Sequence, residues 1–508
     1  MSLATLHSRA RLGVQAPPVT VEVHLSNGLP ALNIVGMAET AVKESKDRVR
    51  SAIINSQFDF PSRRITINLA PADLPKGGGQ FDLPIALGIL IASGQLPADT
   101  CDSVEFLGEL ALNGDLRPVP GCLPAALAVG QLGRALICPE TNAKEACLSE
   151  STRVLGGLSL LQVAAHLSGE KPIEPVLAGE GSSTSELGRS AADLRDVKGQ
   201  AQAKRALEVA AAGNHHLLLF GPPGTGKSML ASRLPGLLPE LEKSEAIEVA
   251  CIQSLTRSTP LADYPARPFA APHHTASAVS LVGGGSDPKP GEISLAHQGV
   301  LFLDELPEFQ RRVLEVLREP LECGAIRISR ASAQVDFPAR FQLVAAMNPC
   351  PCGYHNDPTR KQRCQCSAND IQRYRNRISG PLLDRIDLHV PVLPLEKGEL
   401  YSPAQGESSS QVRIRVTEAR LKQFQRQGCC NAQLSPRQLQ QLCPLNERQQ
   451  QILEHAMLTL GFSARGLHRV IKVARTIADL NDDEQLAERH LIEALNYRNL
   501  DRQMDTSA

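Results

Sequence analysis

The sequence predicts a multidomain α/β protein, on three observations. A chain of 508 residues exceeds what one hydrophobic core organises, so roughly two to four domains are expected. Up to about residue 168, segments with strand periodicity alternate with segments of helix periodicity. Further on, an apolar strand runs into a glycine-rich turn and a helix. Two more apolar strands ending in polar residues follow, and then a helical C-terminal part.

Composition narrows the class. Hydrophobic content of 42% and charged content of 21% are those of a globular chain. The longest nearly apolar run, Leu83 to Ser93, is too short to span a bilayer, and no signal-peptide pattern opens the chain. No membrane association and a cytoplasmic location are therefore expected, where thirteen cysteines read as buried thiols or metal ligands rather than a disulfide framework. A net charge of −1 restricts any nucleic-acid surface to a local patch. No Trp and only five Tyr argue against an aromatic stacking platform.

In the first segment, 1–168, Val19, Val21, Val23 and Leu25 alternate with polar residues, the period of a half-buried strand. Asn27-Gly28 signals a turn, with Ala31 to Val35 as the returning strand. Glu39 to Asn55 reads as a helix, Ile65, Ile67 and Leu69 as a strand, and Val104 to Gly133 as a βα passage before a strand at Ala135 to Cys138. Leu74 to Gly79, Gly108 to Gly114 and Pro118 to Gly121 resemble loops of the Lon-type protease domain, which implies a Lon-like fold of the ribosomal S5 domain 2 type. The family's serine position falls here among Gln80, Phe81 and Asp82, and its lysine position near Leu123. A Ser–Lys dyad needs a hydroxyl and an amine. A non-proteolytic domain for assembly or partner contact is expected.

Residues 169–190 are rich in Gly, Ser, Pro and Glu, the composition of a flexible linker. A second module is expected over 191–395, and a linker with a helical part over 396–508. After the apolar His215 to Phe220 comes Gly221-Pro222-Pro223-Gly224-Thr225-Gly226-Lys227-Ser228, which fits G-x-x-x-x-G-K-[ST]. Such a loop presents backbone N–H groups to phosphate oxygens at a helix start. Lys227 would reach the β/γ-phosphates of ATP, and Ser228 would ligate Mg2+.

Gly299 to Leu306 is an apolar strand ending in Asp304 and Glu305. Asp304 would help hold Mg2+, and Glu305 would act as general base toward water. A third strand, Phe341 to Met347, ends at Asn348, which could orient that water. In order and distance these elements resemble an AAA+ ATPase with a helical lid. The resemblance implies that Arg385, in Pro381 to Asp387, reaches a neighbouring subunit's nucleotide as an arginine finger. It also implies that Arg465, opening the amphipathic helix at Ser463, contacts the γ-phosphate, with Arg469 and Arg475 as alternatives.

Two insertions bear on the substrate. One, about Ser258 to Gln298, carries Arg267, His273, His274 and Lys289, with a glycine run at Gly283 to Gly285 expected to form a mobile loop. The other is an expected hairpin, Gly324 to Phe337, with Arg327 on it and Arg330 toward its tip. Placed in a ring's pore, as the resemblance implies, these residues would bind phosphate backbones without reading sequence. Cys350-x-Cys352 and Cys364-x-Cys366 are two close thiol pairs that suit Zn2+ closing a small knuckle over 350–366, and Arg373, Arg375 and Arg377 make its surroundings basic.

With Ala271 to Ser277 and Asn348 to Gly353, almost the whole chain resembles the YifB/ComM family of competence proteins. That resemblance implies a homohexameric, ATP-driven motor on single-stranded and branched DNA, acting in branch migration as donor DNA is integrated, with recombination proteins as partners. A chelatase-like metal-insertion or protein-remodelling ATPase is the alternative, and residual peptidase activity a remote third.

Overall fold

Alternation in the first strands decides the N-terminal architecture. In the computed structural model, which describes residues 3–37, 39–98, 101–176, 193–256, 264–285, 288–329, 334–355, 364–395, 406–460 and 463–498, seven strands make up its sheet, and those at 18–26 and 64–70 bury alternate residues. The seven are β1 (Leu3–Arg9), β2 (Pro18–Ser26), β3 (Ala31–Val35), β4 (Arg64–Ala70), β5 (Val104–Phe106), β6 (Ala135–Pro139) and β7 (Arg153–Gly157). They form one mixed sheet in the order β3-β4-β2-β1-β5-β6-β7. Val19, Val21, Val23, Leu25, Ile65, Ile67 and Leu69 point into one core. The apolar run becomes the helix Asp82–Ala92, every residue of which is buried, so it shows no amphipathic period.

Ala31–Val35 is not the returning partner of β2. β4 lies between them, antiparallel to β2 over seven residue pairs and parallel to β3. β4 brings the longer alternating apolar face, so it takes the inner position and leaves β3, with its alternate residues exposed, at the edge.

At the position expected for a dyad serine, Asp82 is buried and accepts from Arg48 Nε at 2.7 Å and Nη2 at 3.1 Å. Burial pushes its carboxyl up to about 6 despite the guanidinium beside it. Leu123 packs on Ala250 and Cys251 of the helix Lys243–Ser254, so the lysine position is an apolar contact with the next module.

Of the expected linker, 177–190 lies outside the described residues. The second module is a five-stranded, all-parallel sheet of β8 (Leu217–Phe220), β9 (Phe269–Ala270), β10 (Val300–Leu303), β13 (Gln342–Met347) and β14 (Leu388–Pro391), with a hairpin of β11 (Ala325–Ser329) and β12 (Gln334–Pro338) inserted. The order is β9-β10-β13-β8-β14. These strands read as unbroken apolar runs because both faces are covered. Leu217, Leu219, Val300, Phe302, Val344 and Ala346 face one core with the C-terminal helices, while Leu218, Leu301, Leu303, Leu343 and Ala345 face another with the hairpin.

The C-terminal part is helical, with Ala464–Leu480 packed on the helix Ala201–Gly213 and on Glu488–Asn496. A helix at Ser409–Gln427, inside the expected linker region, joins them. The glycine run pairs as a minimal hairpin, Gly283 opposite Pro290 and Gly284 opposite Lys289. Among the described residues no helix is long and apolar enough to cross a membrane.

Candidate nucleotide site and its surroundings

Strand order builds the site. After β8 the chain leaves for the sheet's far edge at β9 and returns through β10 and β13, so the C-terminal ends of β8, β10 and β13 form a topological switch point, where open parallel sheets bind ligands. Phe220 lies opposite Met347 and Leu303 opposite Ala345, so the residues after each strand, Gly221, Asn348 and Asp304, share one edge.

Gly224 and Gly226 adopt φ of +79° and +93°, the left-handed region that a Cβ penalises, and the helix Lys227–Ala231 starts directly after them. Lys227 is buried, and its Nζ donates to Gly221 O at 2.7 Å, Pro222 O at 2.8 Å and Asn348 Oδ1 at 3.1 Å. Desolvation pushes its amine down to about 8, against the pull of Asp304 and Glu305. Ser228 Oγ donates to Asp304 Oδ2 at 2.5 Å, and Asp304 Oδ1 accepts the Glu305 N–H at 2.9 Å. Two hard oxygens in contact at a helix start fit Mg2+, which favours oxygen ligands.

Glu305 sits at φ +52°, a strained conformation for a residue with a Cβ and a recurrent mark of functional sites. Its half-exposed carboxylate lies 3.1 Å from His274 Nδ1, and the His273 and His274 rings lie against each other with centroids 4.1 Å apart. The insertion thus touches the expected base, a pairing that sequence spacing did not show.

Arg385 is 6% exposed, donating to Pro381 O at 2.5 Å and pairing with Glu322. Its neighbour Asp387 is buried. Burial alone would raise that carboxyl, but Arg469, with His215 and His216, holds it well below the usual range. Arg469 Nη1 donates to Asp387 Oδ1 at 2.5 Å and to Arg385 O at 3.0 Å, so the helix Ala464–Leu480 is tied to the segment carrying Arg385. Among the three candidate lid arginines, Arg475 is spent on Asp479 and the carbonyls of Asp483 and Glu484, whereas Arg465 lies exposed on its helix's first turn.

The structure corrects Arg267. Its guanidinium turns inward, donating to Pro239 O and Gln298 O, both at 2.6 Å, and burial pushes it down to about 10, so it braces the insertion's base instead of facing a ligand. Lys289 is exposed. Arg327 pairs across the hairpin with Asp336 at 2.8 Å, and Arg330 lies outside the described residues. The four thiols of Cys350, Cys352, Cys364 and Cys366 come together, all within 4.8 Å of one another. Tyr374, buried near the Asn348 backbone, was not anticipated, because nothing near it in sequence marks it.

Three family models match: Magnesium chelatase, subunit ChlI over residues 193–400, Subunit ChlI of Mg-chelatase over 21–142, and Magnesium chelatase, subunit ChlI C-terminal over 406–498. The chain is 53% identical to Competence protein ComM of Haemophilus influenzae, covering 98% of each chain. It is 50% identical to the uncharacterized protein YifB of Escherichia coli, over 99% of this chain and 98% of that one. Identity to the magnesium-chelatase 38 kDa subunit of Cereibacter sphaeroides is 29%, over 30% of this chain and 51% of that subunit.

Proposed function

The chain belongs to the ComM/YifB family of magnesium-chelatase-related proteins, and from that premise we propose that it is an ATP-driven, hexameric DNA motor that moves branched or heteroduplex DNA during integration of donor DNA in natural transformation. The observation that carries this reading is the His274–Glu305 contact, which joins a histidine-bearing insertion to the expected base of the ATPase site. In the reading, Lys227 and the N–H groups of the Gly221–Ser228 loop bind the phosphates of ATP, and Asn348 and Glu305 orient and deprotonate water. Ser228 and Asp304 would hold Mg2+, which when bound screens phosphate charge. Arg385 serves a neighbouring subunit and Arg465 the γ-phosphate. His273, His274, Lys289, Arg327 and Arg330 meet the DNA backbone, the four cysteines hold Zn2+, and the N-terminal domain is a Lon-like fold without the dyad.

The similarity to a magnesium-chelatase subunit favours a second reading, a metal-insertion or protein-remodelling ATPase. Hydrolysis rates with and without single-stranded and branched DNA separate the two. A DNA-dependent rise supports the motor. ATP hydrolysis indifferent to every DNA form would sink it.

His274→Ala is expected to raise the DNA-free rate about 10-fold, the kinetic equivalent of one charge-assisted hydrogen bond of ~1.5 kcal/mol that restrains the base, and to shrink the stimulation ratio accordingly. Steady-state phosphate release with and without DNA checks it.

A further inference from the structure

Asn348 lies in a closed circuit of contacts that runs through the four cysteines. Cys350 and Cys352 follow it directly, and Cys364 and Cys366 lead through the cap Ser367 into the helix Ala368–Arg375. That helix returns Tyr374, 4% exposed, to the Asn348 backbone, with its hydroxyl close enough to feel the backbone N–H. Gly353, at φ +84°, seats the turn between the cysteine pairs on the phosphate loop. A Cβ there would come within 2.8 Å of Pro223 Cδ and 3.9 Å of Asn348 Cγ. Asn348 Oδ1 in turn accepts from Lys227.

The sulfur geometry says what closes the circuit. Cys350 Sγ is 3.3 Å from Cys352 Sγ and 3.9 Å from Cys364 Sγ, and Cys352 Sγ is 3.6 Å from Cys364 Sγ. A disulfide needs about 2.05 Å. Four thiolates at ~2.3 Å from a tetrahedral Zn2+ lie about 3.8 Å apart.

We propose that Zn2+ held by Cys350, Cys352, Cys364 and Cys366 is a clasp on the ATPase site. It cross-links the end of β13 to the helix carrying Tyr374 and so fixes Asn348 over the phosphate loop. The four cysteines and Tyr374 are positioning residues, acting through Asn348 and not on the nucleotide. The inference rests on the ATPase reading above and adds a dependence that reading does not need.

The test compares wild type, C364S/C366S, Asn348→Ala and the triple variant, measuring zinc content, affinity for a fluorescent ATP analogue, and single-turnover hydrolysis. C364S/C366S leaves the Asn348-proximal pair untouched. It is expected to lose its zinc, to bind the analogue within about 3-fold of wild type, and to hydrolyse ~10–100-fold more slowly, the range that follows loss of supporting groups. The triple variant should be no slower than Asn348→Ala, since both lesions act through one side chain. Retained analogue binding shows that the protein is folded. If C364S/C366S does not fold, Tyr374→Phe takes its place, and slower hydrolysis at unchanged zinc content is expected. A zinc-free wild type, unchanged hydrolysis in C364S/C366S (or in Tyr374→Phe), or multiplicative loss in the triple variant overturns the clasp alone. A wild type that hydrolyses no ATP overturns the ATPase reading and the clasp with it.

Discussion

Glu305→Gln is expected to bind ATP about as tightly as wild type and to hydrolyse it at least ~100-fold more slowly. The substitution keeps the side chain's size and removes its charge, and with it the capacity to take a proton, and a positioned base contributes about 10²–10⁴-fold. The geometry sharpens this. Asp304 and Ser228 contact each other through atoms that Glu305 does not supply, and Lys227 is anchored by carbonyls and Asn348, so the phosphate-binding half survives the change. Lys227→Ala should do the opposite and lose affinity first. Equilibrium binding of a fluorescent ATP analogue beside single-turnover hydrolysis reads both. A Glu305→Gln protein with near-normal hydrolysis would remove Glu305 from the role of base.

Arg385→Ala is expected to reduce hydrolysis ~10³-fold or more, the range for an arginine supplied to a transferring phosphoryl group. In this chain Arg385 is folded onto Pro381 O and Glu322, so serving a neighbour requires it to leave Glu322. Mixing separates this from a structural role. In rings that combine Arg385→Ala with Glu305→Gln subunits, some sites join an intact Glu305 to a neighbour's intact Arg385, so activity should reappear on mixing two inactive proteins. Mixtures that stay at the level of their parents would place Arg385 in its own chain's structure instead.

How much was legible in the sequence follows from the range of the interactions. The phosphate loop and the Asp304–Glu305 strand end are local, with glycine freedom, helix start and apolar strand all within a few residues. The four cysteines were legible as pairs for the same reason. The hairpin at 324–337 showed through the alternation of Ile326 and Ile328.

What stayed hidden depends on direction and long-range pairing. Arg267 shows charge in the sequence, but not that its guanidinium turns toward Pro239 and Gln298. His274 was marked for DNA because it is polar and lies in an insertion, and its partner Glu305 stands far along the chain. Asp387, Arg469 and His215 come from a strand end, a lid helix and the start of β8, so no spacing rule could join them. The helix Ser409–Gln427 was within reach of sequence reasoning. Ser408 and Gln411 form its capping box, and Val412, Val416 and Ala419 keep helical spacing on its buried face. The edge position of β3 was not, because strand neighbours are set by competition among distant segments for the inner place.

The most direct measurement is branch migration of a labelled four-way DNA junction. The account expects wild type with ATP to convert the junction to its separated products, and Lys227→Ala and Glu305→Gln to leave it intact. A wild-type protein that hydrolyses ATP yet leaves the junction unmoved would contradict it.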